Sequence, residues 1–250
     1  MAKTLYYDSG GLLEATINDG TYSGTGWSDS ASMTNESRLV DQSISSAVTD
    51  FNNADALKIT FPVSTALNFV ALYFSASETD NISLYKLVAT NTFGSAIDIT
   101  SDFSAGWSVK EFTSASTTDW HLASTSGDVA NLTEFIVGSK LAFEVQPDVG
   151  IGETEIFGSE VQTSIGGVEY ATKKHSSKST FSLNFSNISQ TFKNNLQSFE
   201  QSVQSYKKFI YSEDGTTGPF HYVRLDSPIQ FAEVAFERYS ASFTLREQLS

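Results

Sequence analysis

Apolar and polar residues alternate at period two along most of this chain, and a helical period appears only once. Ala56–Phe61 places Leu57, Ile59 and Phe61 on one face, and Pro62 is expected to end that strand. Asn68–Phe74 is almost wholly apolar and reads as a strand buried on both faces. Alternation returns at Asn81–Val88 through Ile82, Leu84 and Leu87, then at Ile97–Ile99, Trp107–Phe112 and Lys140–Val145. It is looser over Ile151–Gly158. Between these runs lie Gly, Ser, Thr, Asn and Asp, as in Asp19–Trp27, which make turns. The 19 Phe and 10 Tyr favour strands as well. Closely spaced strands without intervening helices predict an antiparallel sandwich.

The exception begins at Ser189. Phe192, Leu196, Phe199, Val203 and Tyr206 follow at steps of four, three, four and three, one face of a helix. Ser189 is placed as N-cap, and Lys207 and Lys208 complement the C-terminal end of the dipole, so the helix is expected over about 189–208. Before it, Ile165–Thr172 and the strand Thr180–Phe185 are expected to form a hairpin across the basic loop Lys173–Lys178. After it, strands are expected at Phe220–Leu225, Ile229–Phe236 and Tyr239–Leu245. The fold class is therefore mostly β: an N-terminal antiparallel sandwich, and a C-terminal β-barrel-like module with one helix.

Charge divides the chain in the same place. Residues 1–170 carry six Lys/Arg against 22 Asp/Glu, and residues 171–250 carry nine against seven. The break predicts two domains, an acidic sandwich over 1–160 and a second module over 161–250. Acidity on this scale repels phosphates, which argues against sequence-specific nucleic-acid recognition. The absence of Cys removes disulfides and thiolate metal sites. Met1–Tyr7 lacks the apolar run of a signal peptide, and Ala66–Phe74 is too short to span a bilayer. The expectation is a soluble protein made in the cytoplasm, with no membrane insertion.

Two resemblances attach to these segments. Ala56–Tyr85, followed by Glu153–Gly158 as a closing strand beside the N-terminus, resembles the discoidin-type jelly roll, also called galactose-binding-like. Gly166-Gly167-Val168-Glu169-Tyr170, Phe181–Phe185, the helix with Leu196 and Phe199, Pro219–Leu225 and Tyr239–Glu247 together resemble the belt module of tailed-phage distal tail and minor tail-tip proteins. That second resemblance implies a virion structural protein forming a ring, a homohexamer, in the phage tail. The implied partners are further copies of itself and the tube, hub or baseplate proteins, and the implied location is the virion, after synthesis in the host cytoplasm. The first implies a host-surface glycan as an alternative partner.

Chemistry is sparse. Asp119, His121 and Ser124 hold the residue types of a triad, but sequence neighbours do not make one, and His121 reads as a loop residue. Glu153 and Glu155 share a strand face and read as solvated acids. Asp148–Gly152 contains Gly-x-Gly without a following helix and is no phosphate cradle. No enzyme activity, catalytic residue, cofactor or metal site is expected. The candidate glycan contacts are Trp27, Trp107 and Trp120, set against packing as the ordinary use of large aromatics. The candidate assembly-module helix face is Phe192, Leu196, Phe199, Val203 and Tyr206.

Overall fold

A computed structural model describes residues 2–23, 26–29, 33–45, 47–49, 51–52, 55–89, 92–94, 96–100, 103–124, 127–148 and 152–248. The first half holds β1 (Thr4–Tyr7), β2 (Thr16–Ser23), β3 (Gly26–Asp29), β4 (Asp55–Phe74), β5 (Ile82–Ala89), β6 (Thr92–Phe93), β7 (Ile97–Thr100), β8 (Gly106–Ser124) and β9 (Leu132–Ala142). The second holds β10 (Gly152–Ile156), β11 (Ser159–Thr163), β12 (Glu169–Lys173), β13 (Lys178–Ser189), α1 (Gln190–Val203), β14 (Phe209–Ser212), β15 (Phe220–Leu225), β16 (Gln230–Ala235) and β17 (Arg238–Glu247). The described strands pair antiparallel in the order β10-β13-β17-β15-β14-β1-β9-β4-β8-β5-β6. β2, β3, β7 and β16 branch from this path, and β11 and β12 pair only with each other. The protein is mostly β with one α-helix among the described residues.

β4 and β8 are the long spine of the first half, paired from Ala56↔Ala123 to Phe74↔Gly106. The lower part of β4 also takes β2, and the upper part takes β9. Pro62 does not end the strand, contrary to the expectation from sequence. It lies where the β4–β8 register shifts between Thr60 and Thr65, so its missing N–H costs no ladder bond. Pro62, Val63 and Ser64 are exposed there, while Leu57, Ile59 and Phe61 point into the core. Val70, Leu72 and Phe74 join the same core, and Phe69 and Ala71 turn to a second cluster with Tyr6, Ile136, Ile210 and Tyr222. The Asn68–Phe74 run is thus covered on both faces.

β1 joins the two halves. Leu5 faces Leu141 of β9 on one side and Tyr211 of β14 on the other. The strand beside the N-terminus is therefore β9; the expected closing strand, β10, pairs with β13 instead. A third cluster gathers Leu5, Tyr7, Leu141 and Phe143 with Phe181, Leu183, Phe185 and the helix residues Phe192, Leu196, Phe199 and Val203. The Ser189 hydroxyl accepts from Phe192 N at 3.0 Å, the N-cap bond its residue type suggests.

Two further expectations need correction. The helix stops at Val203, because Gln204 leaves helical geometry with φ 49°. Tyr206 falls beyond it and is 58% exposed, off the packed face. The hairpin expected between 165–172 and 180–185 does not form: β12 pairs with β11, and β13 pairs with β10 and β17. An alternating pattern marks a strand but not its partner.

Candidate assembly surface

The features that sequence singled out for chemistry do not converge. His121 lies in β8, fully buried, opposite Lys58 rather than in a loop. Burial, with the Lys58 ammonium beside it, pushes its imidazole down to about 3. Asp119 accepts from Thr60 Oγ1 at 2.7 Å and Thr118 Oγ1 at 2.8 Å. The Ser124 hydroxyl donates to the carbonyl of Gly127 at 2.6 Å, so these three side chains form no triad. Glu153 and Glu155 stand exposed on β10. Asp148 precedes residues 149–151, which lie outside the described ones, as does the structural context of that Gly-x-Gly.

The tryptophans fare similarly. Trp120 is fully buried in the sandwich core and cannot touch a glycan there. Its strand faces inward at that position, packing the indole near Phe112. Trp107 is half-buried and packs on Tyr73 and Tyr222, with ring centroids 5.2 and 5.1 Å away. The side chain of Trp27 lies outside the described residues.

The most unusual surface is the β11–β12 ribbon. Ser159↔Lys173 through Thr163↔Glu169 pair with each other and with no other strand among the described residues. Its tip is a tight turn: Ser164 N donates to Val168 O at 2.8 Å, and Gly167 N donates to Ser164 O at 2.9 Å. Gly167 sits at φ 79°, the left-handed region a glycine takes without strain. The base is pinned where Lys174 N donates to Gly158 O at 2.6 Å. A Cβ on Gly158 would come within 2.1 Å of the His175 carbonyl oxygen, so only glycine allows that crossing. Lys174 and Glu160 add an exposed ion pair at 3.1 Å.

Along this ribbon and its base the apolar side chains stand in solvent: Phe157, Val161, Ile165, Val168 and Tyr170 are all more than half exposed. Two strands alone are marginal in water, and exposed apolar patches are in general where proteins meet partners or ligands. A second exposed edge is formed by β16. Among the described residues β16 pairs with β17 only, and Val234 and Phe236 around its turn are 53% and 86% exposed. The ribbon was not identified from sequence, which read Gly166 and Gly167 inside an extended piece although a Gly-Gly pair signals a turn, and the strand at 229–236 was expected but not as an exposed edge.

No protein-family model matches the chain, and no curated protein matches it. Three solved structures show the kind of likeness found. Chitosan-binding module 1 of a chitosanase/glucanase from Paenibacillus sp. IK-5 is 17% identical, covering 51% of this chain and 97% of that one, with a TM-score of 0.38. Module 2 of the same enzyme, solved with chitotriose, is 12% identical over 51% of this chain and 98% of that one, at 0.39. A CBM32 module of a family 31 glycoside hydrolase from Clostridium perfringens is 12% identical over 53% and 100%, at 0.38. The tail-protein resemblance of residues 161–250 has no counterpart among them.

A buried ionisable cluster lies where the two halves meet. Glu134 of β9 is 1% exposed, facing Ile136's side of the sheet and away from Phe135 and Val137. Burial first, then the Asp41 carboxylate, pushes its carboxyl up to about 9, against the backbone N–H groups of Ser43 and Gln42 and the Lys208 ammonium. Lys208 is drawn the other way, its ammonium held low by burial. It donates through Nζ to the Gln42 carbonyl and through its backbone N–H to Gln42 Oε1 at 3.0 Å. Lys207 pairs with Asp8 at 3.4 Å, and Lys208 lies over the Tyr222 ring at 5.4 Å.

Proposed function

We propose that this chain is a non-catalytic structural protein that assembles with copies of itself through residues 161–250, led by the β11–β12 ribbon. By its resemblance to distal tail and minor tail-tip proteins, it is a ring component of a phage tail, with the sandwich outward. The observation that carries the assembly reading is the solitary β11–β12 ribbon with its exposed apolar side chains. A head-to-tail contact between identical chains closes into a ring when its rotation allows, and six copies is the number the family implies. Tube, hub or baseplate proteins would flank the ring.

Native mass measurement at high protein concentration tests this. The parent is expected to form a discrete oligomer, and a variant with residues 159–173 replaced by a short Gly-Ser turn is expected to run as monomer. A parent that stays monomeric throughout, and no ring in assembled particles, would overturn the reading.

Glycan capture by the sandwich is the second reading. Its favouring observation is that Tyr73 and Trp107, in register on β4 and β8, are both only half-buried. A glycan array should then show binding that disappears in Trp107→Ala. A flat array with the parent protein removes this reading.

A further inference from the structure

A narrow cavity of about 10 Å³ lies at the junction of the two halves. Asp8, Leu12, Glu134 and Tyr222, all buried, line its inner part, and Leu13 and Gln42 stand at its mouth. Most polar groups around it are already bonded. Asp8 accepts from Gly10 N at 2.9 Å and from Leu12 N at 2.8 Å, and it pairs with Lys207. Lys208 donates to the Gln42 carbonyl. The N–H groups of Gln42 and Ser43 bond the Glu134 carboxyl. Two atoms remain. Among the described residues Glu134 Oε2 and Tyr222 Oη are buried and have no hydrogen-bond partner. The Glu134 carboxyl is near enough to act on the Tyr222 hydroxyl, yet no bond joins them. Buried groups of this kind are costly when unbonded, and native chains pair them with protein or with an ordered water.

We propose that this cavity binds one ordered water, held between Glu134 Oε2 and Tyr222 Oη. Its volume is at the lower end of what a water needs, about 10–15 Å³, and leaves no room for a larger ligand. The donors and acceptors agree with this. Because Oε2 has no partner, the Gln42 and Ser43 N–H groups bond Oε1, which leaves the acid proton to Oε2. Glu134 keeps that proton up to about 9, and burial holds the Tyr222 proton as well. Each group therefore presents an O–H that a water accepts, and the phenol oxygen accepts in return. A cation fits less well, since the Lys207 and Lys208 ammoniums already lie beside the site. An anion would face the carboxylates of Asp8 and Asp41.

The position gives the water a task. β9 and β15 are not neighbours in the sheet, because β1 and β14 lie between them. A water bonded to Glu134 and Tyr222 ties the first half to the second directly, next to the Lys207–Asp8 pair and the Lys208–Gln42 bond. It also fixes the Tyr222 ring, which packs on Trp107 at a centroid distance of 5.1 Å. One bound water satisfies the neutral acid without giving an anion the hydration it needs, so the carboxyl keeps its proton. The site depends on neither the assembly reading nor the glycan reading.

Crystals of the full chain test it, grown below the titration of Glu134 at about pH 6, for the parent, Glu134→Gln and Tyr222→Phe. The parent should show one water peak within about 2.6–3.2 Å of both Glu134 Oε2 and Tyr222 Oη. Glu134→Gln, whose amide donates as the neutral acid does, should keep the peak, and Tyr222→Phe should lose it. A direct hydrogen bond between Glu134 and Tyr222 with no peak between them would overturn the proposal. So would a peak unchanged in Tyr222→Phe, or one that rubidium displaces, the mark of a cation site. If Tyr222→Phe does not fold, the parent decides in solution: its Tyr222 ring protons should show cross-relaxation to a long-lived water, and the absence of that signal removes the site.

Discussion

Phe199→Ala is expected to cost about 3–5 kcal/mol of stability, the range for removing a buried ring that its surroundings cannot close over. Phe199 is fully buried on the inner face of α1. Its ring meets Tyr7 of β1 and Phe209 of β14 edge-on, each at a centroid distance of 5.0 Å. Those strands are neighbours in the sheet, so one side chain clamps the helix over the seam between the halves. For a chain of this size the loss corresponds to roughly a 10 °C fall in Tm. Tyr206→Ala supplies the contrast. Tyr206 was assigned to the same helical stripe, but it is 58% exposed and outside the helix, so its replacement should stay within about 0.5 kcal/mol. Calorimetry on the two variants separates them, and equal losses would refute the packing described for α1.

Residue pattern made the strands legible wherever one face is buried. Tyr239–Leu245 alternates and forms the body of β17; the helix begins at Ser189 because the cap is a local chemical event. Pairing was not legible, since an alternating strand carries no record of its neighbour. That is why Ile165–Thr172 was joined to the wrong partner, and why the place beside Leu5 was given to β10 rather than β9. Long strands hid for a related reason. β4 passes through Pro62, which reads as a terminator unless a register shift is known to sit there.

The surface was less legible than the core. A buried Leu and an exposed Ile look alike in sequence, and Ile165 differs from Leu183 only by what the sheet leaves uncovered. His121 was placed in a loop because the Ser/Thr-rich run at 113–119, with Ala115 its one apolar residue, hides the continuity of β8. Glu134 did leave a trace, as a lone carboxylate within the apolar run Leu132–Val137, where a solvated acid would have no room.

That carboxylate makes stability depend on pH in a defined direction. The folded protein holds the Glu134 proton up to about 9, whereas the unfolded chain releases it near the ordinary value of 4.5. Between those limits the folded state binds the extra proton, so stability falls as pH rises, at about 1.4 kcal/mol per pH unit from this group. Glu134→Gln keeps the shape of the neutral acid and cannot ionise. The variant should match the parent near pH 5 and exceed it by a few kcal/mol (about 3, taking two to three units of that slope) near pH 8. Asp41, Lys208 and Tyr222 face the same carboxyl, and Asp8 and Lys207 lie next to them. They are unchanged in the variant, so the difference between the two curves isolates Glu134. Urea unfolding of both proteins across pH 5–9 reads it directly. Parallel curves would mean that the carboxylate reaches water or a counter-charge at the junction, and that the two halves are not closed over it as the packing of Tyr222 and Lys208 implies.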